Sequence, residues 1–204
     1  MLHTSTVYPA TLGLLKQLMA MPELNGFNLA GGTSLSLQIG HRISVDLDFF
    51  GDCPFDSTEI LDLVAICGQV EPLKISKNIL ILDINGVKVD VVNYRYPLLK
   101  PVLTIDGIRL LSTADIGAMK LAAIAGRGRK RDFVDLYFIL QEYTLAELIQ
   151  FYNQKYTDGS EMMVVRSLTY FGDAEDDTVP ELLQTADWQV VKNTILQNVK
   201  ALYG

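Results

Sequence analysis

The stretch "ILILDINGVKVDVVNY", residues 79–94, constrains the fold more than any other part of the chain. Asn85-Gly86 stands between two alternating, β-branched runs, the strongest short-range signal for a two-residue hairpin. A lone hairpin is at best marginally stable in water, so a sheet must form around it. On the second run Val87, Val89 and Val91 share one face, while Lys88 and Asp90 take the other.

The flanking segments extend this pattern. Residues 9–21 have helical spacing, with Leu12, Leu15, Leu18 and Met19 on one face, and stop before Pro22. "NGFNLAGG" predicts a turn, a short strand over Phe27–Ala30 and paired glycines; "TSLSLQI" then predicts a short helix ended by Gly40. "ISVDLDFF" alternates as a further strand, and Ser57 or Thr58 caps a helix running to about Gly68. Beyond Pro97 and Pro101 the period becomes helical. One helix is capped near Ser112 or Thr113, a second is "RDFVDLYFILQEY", and a third starts with Thr144 and Glu147 at capping-box spacing. "EMMVVRSLTYF", an acidic loop and a closing helix with Trp188, Val191, Ile195 and Leu202 complete the chain. The expected organisation is an α/β half over residues 1–100 and a helical half over 101–204.

With 204 residues, 49% of them hydrophobic, the chain has the material for a real core. Its net charge of −7 argues against a general nucleic-acid coat. Against that background "GRGRKRD", with Arg127, Arg129, Lys130 and Arg131, is the one basic cluster. The N-terminus lacks a basic region followed by an apolar run, and no apolar run reaches the roughly 18–20 residues of a membrane span. A cytoplasmic protein with reduced Cys53 and Cys67 is expected, and with only His3 and His41 a zinc site is not. His41 and both cysteines read as structural.

In "SVDLDFF" a strand places Val45, Leu47 and Phe49 on one side and Ser44, Asp46 and Asp48 on the other. Two carboxylates about 6.5–7 Å apart along a strand can converge on one cation, and all-oxygen ligands suit Mg2+ or Mn2+. The alternative is a solvated strand end, since Asp-x-Asp is common. Gly31-Gly32 ahead of a helix exposes N–H groups that can receive phosphate oxygens. A neighbouring strand can bring Asp90 beside Asp46 and Asp48; Asp83, on the partner strand of the hairpin, is the competing third carboxylate. Three carboxylates can serve two-metal phosphoryl chemistry.

A small residue, Gly-Gly, thirteen residues and Asp-x-Asp, with a later strand Asp, resembles the signature of the polymerase-β-like nucleotidyltransferases. More narrowly, "LAGGTSLSLQIGHRISVDLDFF", "INGVKVDVVNY", "ADIGAMKLAAIAGRGRKRDFVDLYFIL" and "TYFGDAEDDTVPELLQTADWQVVK" resemble the AbiEii/AbiGii toxin family. The resemblance implies an α+β fold: a nucleotidyltransferase-like mixed sheet with flanking helices, then a C-terminal helical domain. It also implies Mg2+-dependent transfer of a nucleotide from an NTP to an acceptor hydroxyl, within a toxin–antitoxin or phage-defence system with an antitoxin partner. Some members of that family act on tRNA ends. Gly31 and Gly32, with Thr33 and Ser34 after them, match the phosphate-side segment; Asp46 and Asp48 match the metal pair, and Asp90 the third carboxylate. Arg42 and Ser44 match the Arg-x-Ser before the aspartates, and Lys120 and Asp132 the helical-half motif.

On physical grounds Lys120 can reach a triphosphate as a mobile point charge, or snorkel to solvent. Asp132 can orient Lys120 or Arg131 or act as a base, whereas Asp135 reads as structural. Arg127, Arg131 and their neighbours can meet phosphates of an NTP or RNA, or form an ordinary solvated loop. Tyr94, Tyr96 and Tyr137 can stack on a base, with core or rim packing the first reading of each. Ser44 can be a site of controlling modification, or simply bond nearby backbone. The rival functions are a non-catalytic NTP-sensing module that docks a protein, and nucleotidyl transfer to a small molecule or protein.

Overall fold

A computed structural model describes residues 1–203. The chain forms two compact units: Met1–Tyr96 with Pro101–Leu111, and Pro97–Lys100 with the chain from Ser112 onward.

The first unit contains helix α1 (Pro9–Met19), strand β1 (Asn28–Ala30), helix α2 (Gly31–Ile39), β2 (Leu47–Gly51), α3 (Ser57–Val64), β3 (Val70–Ile75), β4 (Ile79–Ile84), β5 (Val87–Asn93), β6 (Leu103–Ile105) and β7 (Ile108–Leu110). The strands make one mixed sheet in the order β3-β4-β5-β2-β1-β7-β6. β2 sits inside it, parallel to β5 and antiparallel to β1. The β4–β5 hairpin turns at Asn85 (φ 54°) and Gly86 (φ 83°), the positive-φ pair that Asn-Gly accommodates. A second hairpin, β6–β7, turns at Asp106 (φ 52°) and Gly107 (φ 78°). The sequence beyond Pro101 predicts helix and no strand here, although Asp-Gly between short apolar runs is the same turn signal; strands of three residues are too short to show a period.

Leu47 and Phe49 of β2 and Val89 and Val91 of β5 are buried with Leu15 and Leu18 of α1. The alternation does not reach Val45, which is 46% exposed. Residues 43–46 lie outside β2 and are held by other bonds: Ser44 N–H donates to the Thr6 carbonyl and the Thr33 hydroxyl to the Asp46 carbonyl. Arg109 of β7 donates to the carbonyls of Met19, Leu24 and Phe27, at 3.0–3.1 Å. It thereby satisfies acceptors that the ends of α1 and the next turn leave open.

The second unit is helical: α4 (Thr113–Gly126), α5 (Lys130–Ile139), α6 (Leu145–Lys155), α7 (Glu161–Ser167), α8 (Gly172–Glu175) and α9 (Trp188–Ala201). Ser112 caps α4, and the Thr144–Glu147 capping box opens α6. The units do not part at residue 100. Pro97–Lys100 is bound into the helical unit: the Asp115 carboxylate accepts from Leu99 and Lys100 N–H at 2.9 and 3.2 Å. Lys155 Nζ, fully buried, donates to Asp115 Oδ1 and the Pro97 carbonyl, both at 2.7 Å.

Candidate active site

In the first unit, Asp48 and Asp90 are register partners on the parallel strands β2 and β5. Both are half-buried, and adjacent strands put partners side by side on one face. Ala30 is Asp48's partner on the other flank, so α2 begins beside that carboxylate. Gly31 has φ +65°, and a Cβ there would lie 2.0 Å from Asp48 Oδ2. At Gly32 a Cβ would lie 2.1 Å from Arg42 Nη2 and 3.3 Å from Ser44 Oγ. The glycines thus do more than open the helix: they let a carboxylate and a guanidinium approach its first turn. A carboxylate at a helix N-terminus is favourably placed against the helix dipole.

Thr33 organises the segment behind this turn. It is buried, donates to the Asp46 carbonyl and lies 2.8 Å from Ser44 Oγ. Ser44 and Arg42 are themselves buried, with Arg42 Nη1 donating to the Ile43 carbonyl at 2.9 Å. Ser34 is fully buried and its hydroxyl lies 3.2 Å from Gln38 Nε2, inside α2. That linking role of Thr33 had no sequence signal, because it joins positions eleven and thirteen residues apart through an irregular segment.

The structure does not gather three carboxylates. Among the described residues no three His, Cys, Asp or Glu side chains are grouped to hold a metal ion. Asp46 precedes the strand, and Asp90 Oδ1 faces Lys88 Nζ at 2.5 Å. What stands is the Asp48–Asp90 pair, with Asp46 two residues before it. This donor set still fits magnesium, which is commonly held by one or two carboxylates plus substrate phosphates and water rather than by an all-protein cage. Asp83 is not a second claimant: its Oδ1 accepts from Gly86 N–H at 2.7 Å, and it lies on β4, which does not adjoin β2.

The second unit holds the remaining predicted residues. Lys120 Nζ lies 2.9 Å from Asp132 Oδ1 and 2.5 Å from Asp135 Oδ2, with both aspartates 0% exposed. Arg127 adds two bonds to Asp132, at 2.9 and 3.1 Å. Burial pushes the Asp132 carboxyl up, but Lys120 and Arg127 outweigh it and hold the group below its ordinary value. Lys120 is therefore neither a mobile cation nor a snorkelling one. Of the basic loop, Arg129 pairs with Asp177 at 2.8 Å, and buried Lys130 donates to the carbonyls of Glu175 and Asp177. Arg131 is exposed. The acidic loop is thus tied to the basic one, a pairing that charge patterns forty-odd residues apart do not reveal.

The mixed sheet, with its glycine turn against strand aspartates, defines the class: a nucleotidyltransferase fold. The AbiEii nucleotidyl transferase toxin family (type IV toxin–antitoxin system) matches residues 13–97 and 82–201, and this chain belongs to that family. Nucleotidyl transfer is its reaction class, and an antitoxin its class of partner. The uncharacterized protein aq_aa25 of Aquifex aeolicus (strain VF5) is 37% identical over 192 residues, covering 91% of this chain and 92% of that protein. The crystal structure of JHP933 from Helicobacter pylori is similar with a TM-score of 0.60 at 20% identity, covering 95% of this chain and 89% of that one. A candidate nucleotidyltransferase from H. pylori is equally similar, with a TM-score of 0.60 at 19% identity, over 95% and 92% of the two chains. At those identities the likeness is one of fold. No helix among the described residues is long and apolar enough to cross a membrane.

Proposed function

We propose that the first unit transfers a nucleotide from an NTP to a hydroxyl at an RNA end, such as that of a tRNA, with Mg2+ or Mn2+ held by the Asp48–Asp90 pair. The observation that carries this reading is the Asp48–Asp90 register pair with the Gly31 backbone packed onto Asp48. The N–H groups at the start of α2 and the Arg42 guanidinium beside Gly32 supply positive potential for phosphate oxygens. Asp48 and Asp90, side by side on one face of the sheet, are the residues that would hold a divalent ion. A bound divalent ion would supply Lewis-acid polarisation of the phosphoryl group and favour ionisation of the acceptor hydroxyl. In the transfer an acceptor-oxygen–phosphorus bond forms, the bond to pyrophosphate breaks, and the hydroxyl proton passes to a carboxylate or to solvent. Lys120 takes no phosphate here, since its ammonium is committed to Asp132 and Asp135.

Incubation of the full chain with each α-labelled NTP, Mg2+ and total RNA tests the reading. Label should enter RNA in the parent, and Asp48→Asn should reduce the rate by roughly 10³-fold, the several kcal/mol that charge stabilisation at such a site supplies. Equal transfer by the two proteins would rule out the assigned site. Label entering protein or a small molecule, and not RNA, would replace the acceptor alone. Mg2+-dependent NTP binding with no pyrophosphate released under any condition would favour a sensing module.

A further inference from the structure

We infer that Phe50, Tyr94 and Tyr96 form the surface on which the base of the nucleotide substrate stacks. This rests on the function proposed above and extends it to the other end of the ligand. The three rings make a continuous ladder: Phe50 and Tyr94 centroids are 5.1 Å apart with planes tilted 50°, and Tyr94 and Tyr96 are 5.1 Å apart with a tilt of 57°. Strand alternation places Phe50 on the same face as Asp48, roughly 6.5–7 Å further along β2. Tyr94 N–H donates to the Gly51 carbonyl at 2.7 Å, which carries the β2–β5 pairing one residue past β5 and keeps Tyr94 beside Phe50.

The burial pattern separates these rings from the core. Leu47 and Phe49, facing the other way, are fully buried, whereas Phe50 and Tyr94 are half-buried and Tyr96 is 39% exposed. Three adjoining rings left partly in water offer aromatic faces of the kind a base covers.

The order of groups along β2 selects the nucleotide as the occupant. β1 runs antiparallel to β2, with Asn28 opposite Phe50 and Ala30 opposite Asp48. The chain therefore leaves β1 on the Asp46 side of Asp48, and there it sets Gly31, Gly32 and the Arg42 guanidinium. Phosphate-binding backbone, carboxylate pair and aromatic ladder follow one another in line. A nucleoside triphosphate has the same sequence of parts: terminal phosphates, reacting α-phosphate, then sugar and base. Because every base has a π-face, the ladder gives affinity without choosing among bases.

The test compares binding of the four NTPs and of inorganic tripolyphosphate to the full chain, by calorimetry in Mg2+ without acceptor. The parent should bind all four NTPs more tightly than tripolyphosphate. Phe50→Leu, Tyr94→Leu and the exposed Tyr96→Leu keep apolar bulk but remove a ring. Each should weaken NTP binding by about ten-fold, in the range that loss of one base–aromatic stack produces, and leave tripolyphosphate unchanged; Tyr94→Trp should restore binding. Unchanged NTP affinity in all three leucine variants would overturn the inference, as would equal weakening of NTP and tripolyphosphate. Loss of affinity for a single-stranded RNA oligonucleotide with NTP affinity intact would assign the rings to the acceptor and overturn it too. A parent that binds tripolyphosphate and NTP equally defeats the stacking alone. A parent that binds neither defeats the proposed function, and the stacking with it.

Discussion

Asp48 with Asp90 in the first unit, and Asp132 with Asp135 in the second, are both aspartate pairs set among apolar residues, and the protein treats them in opposite ways. Asp132 and Asp135 are fully buried around a 6%-exposed lysine, with Arg127 closing the other side of Asp132. Two negative and two positive groups meet there within hydrogen-bonding distance, so the charge is settled inside the protein. Asp48 and Asp90 are half-buried on the sheet face, and the cation at Asp90, Lys88, has a side chain 41% exposed. A salt bridge with an exposed lysine is weak and exchangeable. Asp132 and Asp135 close on a buried lysine inside the fold, whereas Asp90 meets a lysine that reaches it from the surface.

Substitution should expose that contrast most sharply in stability. Removing one partner of a buried ion pair strands the other charge and typically costs about 3–5 kcal/mol. Asp132→Ala and Lys120→Met should each lose about that much in urea denaturation, whereas Asp90→Ala, whose lysine partner is 41% exposed, should stay within about 1 kcal/mol of the parent. A destabilised Asp90→Ala beside an unaffected Asp132→Ala would invert the assignment of roles.

The contrast was only partly legible in the sequence. Alternation in residues 79–94 and the Asn85-Gly86 turn sufficed for β4 and β5, and the capping signals for α4 and α6. Asp46, Asp48 and Asp90 were recognisable as candidates from period and motif. What the local pattern does not carry is where β2 begins: four residues of apparent alternation before Leu47 belong to a segment pinned by Thr6 and Thr33. That displacement is why Asp46 is not a third strand carboxylate. Nor does helical spacing within α4 and α5 say that Lys120 will be enclosed, since its partners come from a different helix. The insertion of Pro97–Lys100 into the helical unit likewise depends on Asp115 and Lys155, the latter 40 residues from its partner.

A pH series sharpens the comparison with a smaller effect. The Asp132 carboxyl is held below its ordinary value, burial opposing the shift and Lys120 and Arg127 driving it. A carboxyl whose folded pKa lies below its unfolded one, about 3.9, contributes stability that is present above that value and lost as pH falls through the lower folded pKa. The stability gap between the parent and Asp132→Asn should therefore be constant from about pH 7 to pH 5 and narrow below about pH 4. A gap that widened on acidification would mean that Asp132 is not held ionised by its neighbours.

The smallest effect concerns Lys88. Its ammonium is 2.5 Å from Asp90 Oδ1, yet the side chain is 41% exposed, so Lys88→Ala should change stability by no more than about 1 kcal/mol, the range for exposed ion pairs. If Asp90 serves a divalent ion, Lys88 must leave that oxygen first, and the two cations compete for one acceptor. Removing the lysine should then lower the Mg2+ concentration for half-maximal transfer by a few-fold, the scale of a pair worth under about 1 kcal/mol. The same substitution should reduce the salt sensitivity of that midpoint, because one screened cation no longer competes with another. A higher Mg2+ requirement in Lys88→Ala would show instead that the lysine helps to hold the phosphates, and would make the first unit's pair depend on a protein cation much as the second unit's does.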